Sequence, residues 1–263
     1  MRPRFAALFA TVVVLAAPSR SPAESVTMAL TGFPNGSGNV SLDGGTVTAA
    51  PIGPLVWTQF GPGGSPFNRP PNPNFPNPIV TFCIELGNTA ATQITPGTPY
   101  TFGVRSDLTT APTIGTQAKA DAILELYGTH YNPAWAAAGF AGSADSVAFQ
   151  LALWELIYDG TGGSLTGGHF SVDPAAFPEA ATAQTWVSGL TGNPGAFAAA
   201  FPNLELVALV APADPSEAKL ATPTQDQLAL IARPVPAPPA AVLAGLGVVV
   251  LLGRPRLRKK TGN

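Results

Sequence analysis

The sequence predicts an α+β fold, a β-sandwich or barrel interrupted by an inserted helical block. Three observations carry this. Strand-like alternation runs from Ser25 to Trp57 and returns at Ile79–Leu86 and Tyr100–Val104. Helical patterning then takes over from Thr116 to Ala200. Two further strand-like runs, Glu205–Ala211 and Gln227–Ala232, follow that block.

In the first segment Val26, Met28 and Leu30 alternate with small or polar residues, as a half-buried strand requires. Val40–Leu42 and Thr46–Thr48 come next, punctuated by the turn signals Asn35-Gly36 and Gly44-Gly45. Residues 51–78 are rich in Pro, Gly and Asn and are expected to be a long surface loop with extended segments, since proline removes a ladder donor. In Ile79–Leu86 the period of two puts Val80, Phe82, Ile84 and Leu86 on one face and Thr81, Cys83 and Glu85 on the other. Thr116–Tyr127 reads as a helix. Ser143–Tyr158 is a better one, with Ser143 as its cap, Asp145 near its positive end and Gly160 as its stop. Ala175–Leu190 and Ala196–Ala200 are further helical patches.

Both ends read as processing segments. A basic start, Met1–Arg4, precedes the apolar run Phe5–Ala17 and the small residues before Ala23, so residues 1–23 are expected to be a secretory signal peptide cleaved between Ala23 and Glu24. Near the other end, Ala240–Leu252 is a short apolar helix candidate followed by Arg254, Arg256, Arg258, Lys259 and Lys260. Such a segment is expected to hold the chain at a membrane with its basic end in the cytoplasm. An ordinary tail anchor would look much the same.

The body between them, residues 24–233, holds all 15 acidic residues but only Arg69, Arg105, Lys119, Lys219 and Arg233 as cations, a net charge near −10. Phosphate neutralisation is out of reach of such a surface, so nucleic acid is not an expected partner. One cysteine, Cys83, precludes an internal disulfide and any ribbon-type zinc site.

On a helical wheel Gln150 falls with Ser143, Ser146, Val147, Leu153, Trp154 and Ile157 on the apolar face; Asp145, Ala148, Ala152, Glu155 and Asp159 fall opposite. A buried carboxamide needs partners for two donors and one acceptor. One answer is a hydrogen bond within the core. Another is chemical. A thiolate from Cys83 attacks the Gln150 carbonyl and expels ammonia, leaving a thioester that removes the buried NH₂ and caps the free thiol together.

Two family resemblances follow from these residues. Phe82-Cys83-Ile84 with Gln150-Leu151-Ala152-Leu153-Trp154 resembles the paired signatures of the bacterial Cys–Gln thioester domain of surface adhesins. That resemblance implies Cys83 as thioester sulfur, Gln150 as acyl donor and Phe82 and Trp154 as supporting aromatics. It implies single-turnover acyl transfer to an amine or hydroxyl on a surface or matrix protein or polysaccharide, not conventional enzyme turnover, and no cofactor. Separately, Val235-Pro236-Ala237-Pro238, the apolar run and the basic cluster, spanning 234–260, resemble a PEP-CTERM sorting signal, with Ala237 where that family has Glu. This implies an exosortase-type processing partner, a membrane-tethered intermediate and a final place at the cell surface or in the extracellular matrix. The alternative is a non-reactive structural or exopolysaccharide-associated surface protein in which Cys83 and Gln150 are packing residues.

Other chemistries have thinner support. His169 and Asp173 lack a Gly-x-Ser-x-Gly partner. His130 and His169 alone make a poor zinc set. Thr161–Gly168 has no phosphate-loop lysine, and Asp159 has no EF-hand spacing around it.

Overall fold

The computed structural model describes residues 25–32, 38–49, 52–60, 78–86, 95–136, 143–210 and 225–233. The expected signal peptide, residue 51 and residues 61–77 of the Pro/Gly/Asn-rich segment, and the expected sorting segment all lie outside these residues. No helix among the described residues is long and apolar enough to cross a membrane.

The α+β class holds, and of the two expected β architectures the barrel forms. Its wall runs β1 (Ser25–Gly32), β4 (Leu55–Phe60), β5 (Ile79–Cys83), β9 (Gln227–Ala232), β8 (Leu204–Val210), β6 (Pro99–Arg105) and back to β1. Every neighbouring pair is antiparallel, and β1 pairs with both β4 and β6, so no open edge is left. A small second sheet, in the order β3-β2-β7, joins β2 (Gly38–Leu42), β3 (Gly45–Ala49) and β7 (Phe170–Val172). The β2–β3 hairpin turns at Asp43-Gly44, both at positive φ (52° and 76°), the backbone a tight two-residue turn demands.

Strand β4 corrects one expectation. Leu55–Phe60 falls where two readings overlap, the strand-like alternation that reaches Trp57 and the 51–78 segment expected to be a surface loop with extended segments; it is a wall strand flanked on both sides. The six residues LVWTQF contain neither proline nor glycine; the composition of the surrounding segment masked them.

Directly opposed residues in an antiparallel ladder share a face. The pairs Leu30↔Trp57, Trp57↔Ile79, Cys83↔Gln227 and Leu209↔Gln227 therefore put Trp57, Thr81, Cys83 and Gln227 on one continuous surface. That surface is the barrel interior, where Trp57 meets Tyr100 and Phe102 edge-on, with ring centroids 6.3 and 5.7 Å away. Both faces of β5 are buried, because helices cover its outside.

The helical block is inserted between β6 and β8: α1 (Gln117–His130), α2 (Ala144–Tyr158), α3 (Ala180–Gly189) and α4 (Gly195–Ala200). The side chain of Thr116 accepts from Lys119 N–H to cap α1, and that of Ser143 accepts from Ser146 N–H to cap α2. Helix α3 starts five residues later than Ala175, since Pro178 has no N–H to give and Asp173 closes a turn there. Glu125 of α1 clamps the α3–α4 connection, accepting from the main-chain N–H groups of Thr191, Gly192 and Asn193 and from the Thr191 hydroxyl. Gly128 allows α4 to approach α1 closely: a Cβ there would overlap the Ala196–Phe197 main chain.

The wheel for α2 needs a second correction. Ala148, Ala152 and Glu155, assigned to the outward face, are fully buried, while Val147 is half-buried. Helix α2 packs against α1, α3 and β7 as well as the barrel, so residues 148–157 have no solvent side. Its apolar character all round is that of a central helix.

Candidate functional site

The site forms where α2 lies against the end of β5. Ring packing sets the register. Phe82, on the outer face of β5, stands 4.8 Å from Phe149 of α2 within a cluster that includes Tyr127, Tyr131 and Trp135. The next residue on each element is then Cys83 and Gln150. Eight residues on, the Tyr158 hydroxyl accepts from Leu86 N–H at 2.8 Å. The two ties are about 12 Å apart along the helix and about 10 Å apart along the strand, so α2 runs beside β5 in the same direction.

Gln150 and Cys83 meet through an amide and a main chain. Cys83 N–H donates to Gln150 Oε1 at 3.1 Å, and Gln150 Nε2 donates to Cys83 C=O at 2.8 Å. The strand explains why these groups are free to be taken. Ile84 N–H bonds Asp226 C=O on the β9 side, so the main-chain groups of Cys83 point the other way, toward β4. Pairing with β4 ends at Leu55↔Thr81. The Gln150 carboxamide thus continues the ladder one step past the end of β4, and both side chains are buried. All donors and acceptors of Cys83's peptide groups on this edge are satisfied by a side chain rather than a strand.

The Cys83 thiol itself is free and turns inward. It donates to Gln225 Oε1 at 3.2 Å and receives Gln227 Nε2–H at 3.5 Å. Behind Gln227, the Thr81 hydroxyl donates to Gln227 Oε1 at 2.6 Å and accepts from Trp57 Nε1 at 2.7 Å. Burial pushes the Cys83 thiol up to about 12; the Gln227 hydrogen bond opposes this and the nearby Glu85 carboxylate adds to it. Gln225, Gln227, Thr81 and Trp57 were not singled out from the sequence. The available signal was the pair of glutamines two apart, Gln225 and Gln227, at the mouth of an otherwise apolar strand: that spacing puts both amides on one face.

Trp154 is buried against Phe170 of β7, 5.9 Å between centroids, and its Nε1 has no partner among the described residues. Glu155, also buried, has neither carboxylate oxygen hydrogen-bonded; burial and the neighbouring Asp159 raise it to about 8. Ala23, Glu24, Val235, Pro236, Pro238 and residues 240–252, expected to be helical, lie outside the described residues.

The weaker candidates are occupied otherwise. His169 Nδ1 is 2.7 Å from Asp43 Oδ1 on the surface, and His130 stacks on Trp186 at 4.5 Å. Asp159 accepts from the N–H groups of His169 and Phe170 and so shapes the turn before β7. Among the described residues, no group of three or more His, Cys, Asp or Glu is placed to hold a metal ion.

No family model, no curated protein and no solved structure matches this chain.

Proposed function

We propose that this is an exported surface or matrix protein that attaches covalently to a partner through a Cys83–Gln150 thioester. The observation that carries the reading is the Cys83 N–H hydrogen bond to Gln150 Oε1, made by the chain's sole cysteine. A hydrogen-bond donor aimed at the acyl oxygen is what an addition at that carbon requires, because negative charge develops there. Bond formation would join Sγ to the Gln150 carbonyl carbon and release the NH₂ as ammonia, with the thiol proton carried away on it. An amine would then attack the same carbon, with Cys83 leaving as thiol and Gln150 becoming a substituted amide; a hydroxyl would leave an ester. The buried setting would hold water back from the bond. Export, membrane tethering and processing by an exosortase-type enzyme rest on the end segments 1–23 and 234–260 and are part of the same proposal.

A second reading has its own observation. Both ends of the Gln150 amide are already paired with Cys83's main chain, so the carboxamide serves as a strand-edge cap without further chemistry. The protein is then a non-reactive structural or exopolysaccharide-associated surface protein.

Intact mass separates the two. The covalent reading expects the purified protein to be lighter than its own sequence by one ammonia, to gain methylamine on incubation, and to lose both behaviours in Cys83→Ala. An unshifted mass with a thiol that alkylates on unfolding in full stoichiometry rejects it in favour of the cap.

A further inference from the structure

We infer that Gln227 is a catalytic residue of the proposed acyl transfer, donating from Nε2 to the Cys83 sulfur as it leaves, with Thr81 and Trp57 as the positioning residues that aim it. This rests on the thioester reading and names groups which neither the sequence motifs nor that reading assigns.

The direction of the relay follows from what each group can do. The indole of Trp57 has a donor and no acceptor, so Thr81 Oγ1 accepts there. The single hydroxyl hydrogen of Thr81 is then left for Gln227 Oε1, at 2.6 Å. With its oxygen engaged, Gln227 presents its NH₂ to Cys83 Sγ. In this arrangement Thr81 uses one acceptor site for Trp57 and its single donor for Gln227, which leaves the Gln227 NH₂ facing the sulfur. All four groups lie on the interior face of the barrel, and Trp57, Thr81, Cys83 and Gln227 are buried. A neutral amide hydrogen bond in such a setting is stronger than in water.

The step balances. The amine nitrogen bonds the Gln150 carbonyl carbon, and the carbon–sulfur bond breaks with its electron pair going to Sγ. The developing thiolate is met by Gln227 Nε2–H. It then takes the proton released by the attacking amine, and the thiol so formed donates to Gln225 Oε1, as seen at 3.2 Å. Gln225 is only half-buried, so this end of the relay opens toward the barrel mouth. The one carboxylate that perturbs the thiol, Glu85, is held by Asp226 N–H and the Thr113 hydroxyl and destabilises a thiolate. No positively charged group is set against the sulfur among the interactions of the described residues, which leaves the Gln227 donor as the group that lowers the cost of sulfur leaving.

The test uses the full chain as purified, with methylamine as nucleophile and intact mass as readout. Three variants are compared with the native protein: Gln227→Glu, which keeps the acceptor for Thr81 and replaces the donor; Thr81→Val, which removes the hydroxyl that orients Gln227; and Thr81→Ser, which keeps it. The expected result is ammonia loss in the native chain, opening slowed about tenfold or more in Gln227→Glu and Thr81→Val, and near-native opening in Thr81→Ser. If the native chain loses ammonia but all variants open at its rate, the role of Gln227 is overturned and the thioester reading stands. A native chain with no ammonia loss overturns both. Should Thr81→Val fail to fold, the contrast between Gln227→Glu and Thr81→Ser decides alone.

Discussion

Replacing Gln150 by leucine in a Cys83→Ala background isolates what the carboxamide does for the fold. The alanine removes the sulfur but leaves the main chain of residue 83 in place, so no bond can form and both hydrogen bonds persist. Adding Gln150→Leu then leaves one N–H and one C=O buried at a strand edge with no strand beyond it. Each such group costs about 1–3 kcal/mol when left unpaired. The two together come to about 2–6 kcal/mol, part of which the better burial of leucine returns, leaving a net loss of about 2–4 kcal/mol. For a body of this size that is a fall in Tm of about 4–16 °C. Urea denaturation of the single and double variants at neutral pH measures it. A double variant within about 0.5 kcal/mol of Cys83→Ala would refute the ladder-extension argument, because ordinary surface changes reach that size.

Glu155 should make the protein less stable as pH rises. Its folded value near 8 lies above its ordinary 4.5, so the folded chain keeps a proton that the unfolded chain releases, and stability falls between about pH 4.5 and 8. Glu155→Gln should flatten that part of the urea-midpoint profile and gain most above pH 7; a profile identical to the native one contradicts the burial of this carboxyl beside Asp159. Glu125 behaves in the opposite sense. Burial pulls it up, but hydrogen bonds from Thr191, Asn193 and Gly192 outweigh that and hold it below the usual carboxylate value, so its contribution is present above pH 4.5 and lost as pH falls through the folded value. Glu125→Gln should cost about 2–4 kcal/mol near neutrality, shrinking in acid; an unchanged midpoint at pH 7 argues against the clamp on the α3–α4 connection.

What was legible in the sequence follows the range over which each signal acts. Ser143 announced its helix because a cap acts within three residues. Cys83 and Gln150 stood out because each breaks a local apolar pattern, and an aromatic precedes each. That Phe82 packs on Phe149 is a tertiary fact, which neither pattern alone contains. Thr81 and Gln227 were invisible for the same physical reason. Their meaning depends on pairing between residues 146 apart, which periodicity along one strand does not contain. The second half of strand β4, past Trp57, was lost to averaging over a proline-rich segment, and β7 is three residues long, too short to show a period. The outward face given to Glu155 assumed that a helix has one, and α2 is enclosed on all sides.

The raised Cys83 thiol bears on the proposed chemistry from both directions. At pH 7 a group titrating near 12 is ionised to about one part in 10⁵, which by itself would make a sluggish nucleophile. Well-oriented intramolecular groups reach effective concentrations of about 10⁵–10⁸ M, enough to offset that fraction. Bond formation in this protein would therefore depend on the fit of α2 to β5, not on an activated thiolate. The same high value makes sulfur a poor leaving group, so a thioester formed here would resist water and open slowly unless a nucleophile is held against it. Attachment would then be selected by how well a nucleophile is held at Gln150 more than by the intrinsic reactivity of the bond.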